Sequence, residues 1–296
     1  MRLEKLVRDV LPSFTEEIIP VYRSVSVPVQ ISMSCRQLSP KERANFMGLF
    51  YECMTRALYG GKLNDLDYEV NWRNGERVSG TVRPDIINHK DGIAQDSKAC
   101  CSGSECVISL KQFEGYRFLQ SSNPDFQYLF PIYRHGLKGI KSAPTEGFTE
   151  KGIVLELARK TFHSVVLPLS VLIKMKEIPY VGGLNISRIT ETKNWRTSLN
   201  LKSSVINRFL FDPKGVLGII GLNSEEFEIQ RYRSPEELKI CGVRIRPFPI
   251  LRILNRDNSG WAEKFIFDYE RELEREAGYR DTDDVPLFEE SKDVPF

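Results

Sequence analysis

Two short runs of this chain carry two carboxylates and a lysine that could share one catalytic face. The first is Pro84-Asp85 and the second is Asp96-Ser97-Lys98. Segment 82–87 is β-branched and apolar apart from Arg83, Pro84 and Asp85. Segment 93–100 contains the Asp-x-Lys triplet, and His89-Lys90-Asp91-Gly92 makes a polar turn between the two. Read as a hairpin, the alternation of strand side chains puts Asp96 and Lys98 on one face, and Asp85 can point there from the neighbouring strand. Clustered carboxylate oxygens suit a hard divalent ion such as Mg²⁺ or Mn²⁺, and a lysine beside them can orient or deprotonate a water. The chemistry this suggests is phosphodiester hydrolysis. A plainer account fits the same residues: Asp85 and Asp96 as strand-end or turn residues, and Lys98 as a solvated edge charge.

These runs need elements to position them, and the flanking sequence supplies candidates. Segment 41–59 (KERANFMGLFYECMTRALY) has apolar residues at helical spacing, a Ser39-Pro40 start and a Gly60-Gly61 stop, with Glu52 in its later half. Segment 105–120 (ECVISLKQFEGYRFLQ) reads as a second helix. Gln112 and Tyr116 in it stand at i, i+4, which places them on one helical face. Segment 126–133 (FQYLFPIY) reads as an apolar, aromatic strand. Glu52 also fits a solvent-facing helix position, and Tyr116 a core aromatic with its hydroxyl satisfied.

Taken in this order, residues 38–135 resemble the PD-(D/E)xK nuclease superfamily. Gln112-x-x-x-Tyr116 looks like the corresponding element of RecB-like members. The stretch Arg83-Pro84-Asp85 to Asp96-Ser97-Lys98-Ala99 looks like the cleavage modules of some type IIS restriction enzymes. The resemblance implies an α/β fold with a restriction-endonuclease-like αβββαβ core, a mixed central sheet, and added N- and C-terminal elements. It implies Asp85 and Asp96 as ligands of Mg²⁺ or Mn²⁺, Glu52 as a further metal-shell carboxylate, Lys98 as the catalytic cation, and Gln112 and Tyr116 as groups holding the substrate or the lysine. The implied activity is a metal-dependent DNA endonuclease of restriction type, with a homodimer as one arrangement for double-strand cleavage. A RecB-like exonuclease or junction and repair nuclease is the alternative, and a non-catalytic DNA-binding protein on the same fold is a third.

The rest of the chain divides into an N-terminal segment 1–37, C-terminal elements over 136–278 and an acidic tail over 279–296. Within the C-terminal part, 149–161 reads as a helix and 164–176 as helix or strand. Runs 215–222, 227–232 and 241–254 read as strands. The basic segment around Lys193, Trp195 and Arg196, together with Arg188 and Lys202, has the aromatic-among-cations pattern of a nucleic-acid surface. Arg244, Arg246 and Arg252 alternate with apolar residues as the outer face of a strand would.

The 296 residues are enough for one large domain or two modest ones, and 41 % hydrophobic with 28 % charged residues is ordinary for a globular protein. The net charge of +2 does not announce a nucleic-acid binder, but acids concentrated over 263–293 leave the preceding body more basic. The absence of long apolar runs and of a signal-peptide core leads to an expectation of no membrane partner and an intracellular, cytoplasmic location. The six cysteines fit no zinc spacing, and they lack the grouped C-terminal set that ligates an iron–sulfur cluster in some RecB-like nucleases, so reduced thiols are expected.

Overall fold

Ser39 starts the first helix with a reciprocal cap. Its hydroxyl accepts the Glu42 N–H at 3.4 Å, and the Glu42 carboxylate accepts the Ser39 N–H at 2.9 Å. Pro40 follows at the first helical position, where its missing N–H costs nothing. This helix, α1 (Pro40–Tyr59), ends at Gly60 and Gly61, both at positive φ. A side chain at Gly61 would meet Ile86 at 2.7 Å, so glycine lets the chain leave the helix directly against the sheet.

The computed structural model describes residues 37–63, 68–70, 80–100, 105–135, 149–159, 162–191, 197–258 and 260–261. The N-terminal segment 1–36, the acidic tail, and Lys193, Trp195 and Arg196 lie outside the described residues. After α1 come β1 (Lys62–Leu63), β2 (Tyr68–Val70), β3 (Gly80–Val82), β4 (Ile86–Asn88), β5 (Ile93–Gln95), β6 (Lys98–Cys100) and β7 (Cys106–Ser109). Then follow α2 (Leu110–Ser122), β8 (Gln127–His135), α3 (Glu150–Arg159), β9 (Phe162–Pro168), α4 (Leu169–Glu177), β10 (Tyr180–Val181), β11 (Leu184–Asn185), β12 (Ser187–Glu191) and β13 (Thr197–Leu201). The described chain closes with α5 (Ser203–Phe211), α6 (Pro213–Ile219), β14 (Phe227–Arg233), β15 (Lys239–Ile240), β16 (Val243–Arg244) and β17 (Pro249–Asn255).

The protein is a mixed α/β structure around a mixed central sheet of order β1-β4-β5-β8-β9-β17-β14, with β6 also on β8. Strands β5 and β6 run parallel to β8, β9 runs antiparallel to β8, and β17 runs parallel to β9. Both faces are covered. Phe113 and Tyr116 of α2, Leu172 of α4, Phe209 of α5 and Leu217 of α6 pack on one side. Phe50 and Met54 of α1, Val154 and Leu157 of α3, and Ile240 of β15 pack on the other. The sheet continues from β8 at residue 135 into β9 and β17, so the C-terminal elements complete the layer that holds the candidate site. Among the described residues, no helix is long and apolar enough to cross a membrane.

Several local expectations need correction. Segment 105–120 is not one helix: its Cys106-Val107-Ile108 start, with two β-branched residues, pairs with β13 as β7, and α2 begins only at Leu110. Segment 215–222 is not a strand, because Asp212 caps α6 by accepting the Gly215 N–H at 2.9 Å and Pro213 opens that helix. Segment 164–176 is strand and helix in turn, β9 breaking into α4 at Pro168. Segment 241–254 divides into a tight hairpin and β17, and Arg252 of β17 lies over the Tyr59 ring of α1 and not on an outer face.

Candidate active site

The candidate residues arrive from four parts of the fold. Asp85 stands just before β4, Asp96 and Ser97 between β5 and β6, Lys98 at the start of β6, Glu52 on α1, and Gln112 and Tyr116 on α2. Pairing of Ile86 with Gln95 sets Asp85 beside Asp96, one step beyond the last hairpin pair. The turn that allows this uses Gly92 at positive φ, where a side chain would meet the Asp125 carbonyl at 2.4 Å. The break after β5 is supported from the other side: the Asp96 N–H donates to the Leu129 carbonyl of β8 at 3.0 Å, and β6 resumes on the same strand.

Lys98 Nζ lies 2.6 Å from Asp96 Oδ2 and donates to Gln112 Oε1 at 3.1 Å. With that oxygen occupied by an ammonium, the Gln112 amide turns its NH₂ to the Tyr116 hydroxyl at 3.2 Å. The phenolic hydrogen then goes to the Arg83 carbonyl at 3.0 Å. The chain of donors thus runs from the lysine through α2 and back to the strand entry that carries Pro84 and Asp85.

Asp85 has its own anchor, since Oδ2 accepts the Ser97 N–H at 2.7 Å. The Ser97 hydroxyl is 2.8 Å from that of Thr55, which is 2.8 Å from the hydroxyl of Tyr133. Thr55 is fully buried and follows Glu52 by three residues on α1, so it ties the Glu52 helix to the Asp-Ser-Lys strand. Sequence spacing does not single out Thr55, Ser97 or Tyr133 for this role. The available signal is a hydroxyl on the apolar stripe of α1, and nothing local says what it meets.

Burial raises the Asp85 carboxyl well above the usual carboxylate range, Asp96 and then Glu52 push the same way, and Lys98 only partly opposes them. Burial works against the Lys98 charge, but Asp96 and Asp85 outweigh it and leave its pKa raised. The Tyr116 hydroxyl is raised by burial and then by the two aspartates, so it stays protonated as a donor. The lysine is therefore a held cation at neutral pH, and the Asp85 carboxyl resists ionisation.

The oxygens of Asp85 and Asp96 are the ligand type a hard divalent cation takes. Asp96 Oδ2 is buried, and the Lys98 ammonium at 2.6 Å is its charged partner. Two neighbouring carboxylates that repel each other in a largely desolvated place would gain from a hard cation. Glu52 reaches Asp85 through its field. Among the described residues no three His, Cys, Asp or Glu side chains are grouped so as to hold a metal ion. Of the cysteines, Cys53, Cys100, Cys106 and Cys241 are buried free thiols.

The basic residues separate into two kinds. Arg188 Nη2 and Lys202 Nζ both pair with the Glu105 carboxylate, the former at 2.9 Å. Burial opposes the Glu105 charge, but Lys202 and Arg188 outweigh it and hold the carboxyl below its usual range. Those two cations share one carboxylate within the fold. Arg244 and Arg246 are exposed. Set against models of protein families, curated proteins and solved structures, the chain matches none.

Proposed function

We propose that this protein is a divalent-metal-dependent endonuclease that hydrolyses DNA phosphodiester bonds, of restriction type, on a restriction-endonuclease-like core. The observation that carries the reading is the convergence of Asp85, Asp96 and Lys98, drawn from separate strand ends, on one desolvated point. Asp85 and Asp96 would hold Mg²⁺ or Mn²⁺, with Glu52 of α1 as the third carboxylate. Such an ion, when bound, acidifies a water and neutralises charge developing on the phosphate. Lys98 is kept protonated by the aspartates, and its ammonium can hydrogen-bond the attacking water or the phosphate oxygens as they gain charge. Gln112 and Tyr116 fix the direction of that ammonium, and Ser97 fixes Asp85.

The direct link of Lys98 to Gln112 and Tyr116 favours a second reading, an end-dependent nuclease of RecB-like type. One experiment separates the readings: purified protein with supercoiled circular and with linear duplex DNA, in Mg²⁺, Mn²⁺ or EDTA. Metal-dependent cutting of the circle supports the endonuclease, and degradation confined to the linear duplex supports the second reading. DNA binding without cleavage in either metal leaves a non-catalytic binding protein and overturns both.

A further inference from the structure

The hairpin of β15 and β16 breaks two rules of local stability on a rigid base. Lys239 and Arg244 are directly opposed in its register, and both are exposed. Like charges facing each other across a strand pair repel and destabilise it. Its two-residue turn, Cys241-Gly242, has positive φ at both positions, 51° at the cysteine. That backbone suits a tight hairpin but is uncommon for a residue with a Cβ. The base is firm: Leu238, Ile240, Ile245 and Phe248 are all buried, and the Ile245 N–H donates to the Leu238 carbonyl at 2.8 Å. A structure that repels itself at its tip while anchored at its root is built to hold that tip outward.

The charge is unbalanced. Arg233, Lys239, Arg244 and Arg246 are exposed, with Glu236 and Glu237 as the acids of the same segment, and among the described residues none of these six shares an ion pair. Arg244 Nε donates to the Glu236 carbonyl at 2.8 Å, which holds the guanidinium stem and turns its remaining donors outward. Arg188 and Lys202 differ in that both have Glu105 as an ion-pair partner. The hairpin also packs on α1, the helix that carries Glu52. Cys241 packs in the same buried cluster as Cys53, the residue after Glu52 on α1. Burial pushes the Cys53 thiol up to about 12, with Cys241 and then Glu52 adding to it.

We propose that the β15–β16 hairpin is the phosphate-backbone dock for nucleic acid, with Lys239, Arg244 and Arg246 as its contacts. The assignment rests on the nuclease reading and names the surface that holds its substrate. A backbone phosphate between Lys239 and Arg244 turns their mutual repulsion into shared attraction, so the strain built into the free hairpin is relieved on binding.

The test uses full-length protein and a fluorescent duplex of about 30 base pairs in EDTA, titrated at several salt concentrations. The variant Lys239→Gln/Arg244→Gln/Arg246→Gln should bind at least about tenfold more weakly at 100 mM salt, with a log–log salt slope shallower by about 2 to 3, roughly 0.9 for each lost phosphate contact. Arg188→Gln/Lys202→Gln should change affinity less than about threefold. Lys239→Gln alone should melt no lower than wild type, because it removes a repulsion, which separates lost binding from unfolding. Unchanged affinity and slope in the triple variant overturn the assignment, as does an equal loss in the Arg188/Lys202 variant. If wild type binds and cleaves DNA while the triple variant is unaffected, only the hairpin assignment falls. If wild type binds no duplex, the nuclease reading falls with it.

Discussion

Asp85→Asn and Asp96→Asn should shift stability in opposite directions, although the two side chains share one site. Asp96 is the ion-pair partner of Lys98 at 2.6 Å, with side-chain exposures of 4 % and 15 %. Removing one member of a buried pair costs roughly 3–5 kcal/mol, because the other charge is left desolvated. Lys98 keeps Gln112 and a little solvent, so we expect about 2–3 kcal/mol for Asp96→Asn. For a protein of this size that is a fall in Tm of roughly 3–5 °C. Asp85 is different, because burial, Asp96 and Glu52 all disfavour its charge. An asparagine oxygen still accepts the Ser97 N–H, and the repulsion disappears, so Asp85→Asn should gain up to about 1 kcal/mol. Thermal melts at pH 7.5 in EDTA measure both, and both variants should have lost cleavage in Mg²⁺. Equal destabilisation by the two substitutions, or a Tm for Asp96→Asn equal to wild type, would refute this account of the electrostatics.

Three further outcomes follow from the same geometry. Because the folded pKa of Asp85 is raised, the native state binds the extra proton, so metal-free stability should fall as pH rises from the ordinary carboxylate range to the raised value. Tm against pH in EDTA should show that slope in wild type and lose it in Asp85→Asn, and Mn²⁺ affinity should rise over the same window. Lys98→Ala should slow cleavage about 10²-fold or more with little change in duplex affinity, and Gln112→Leu should slow it less; turnover unchanged in the alanine variant reduces Lys98 to a structural charge. Thr55→Val should cost about 2–3 kcal/mol in chemical denaturation by stranding the Ser97 and Tyr133 hydroxyls, and Thr55→Ser should restore most of it; equal stability of the two variants contradicts the network.

What could be read directly was whatever short-range physics settles. The cap at Ser39, the proline after it and the glycines at the end mark α1 without reference to any other element, and Gly92 marks its turn in the same way. Strand β14 and helix α3 lie close to where alternation and helical spacing put them. Reading failed where a β-branched run could serve either state. Cys106 to Ser109 became a strand because β13 was there to pair with it. The apolar run after Gly215 became a helix because Asp212 capped it from outside the run.

The sequence by itself determined which chemistry-bearing residues the site could draw on, since the types and spacing of Asp85, Asp96 and Lys98 are local facts. Only the tertiary structure decided what those residues touch. Register on β8 brings Lys98 under α2, so that Gln112 and not solvent takes its second hydrogen bond. Thr55 meets Ser97 across 42 residues and Tyr133 across 78, contacts that no local pattern encodes. It also sorted the cations, pairing Arg188 and Lys202 with Glu105 while leaving Lys239 and Arg244 to face each other. Charge composition is additive along a chain, but burial and pairing are not, because both depend on which distant segments fold against one another.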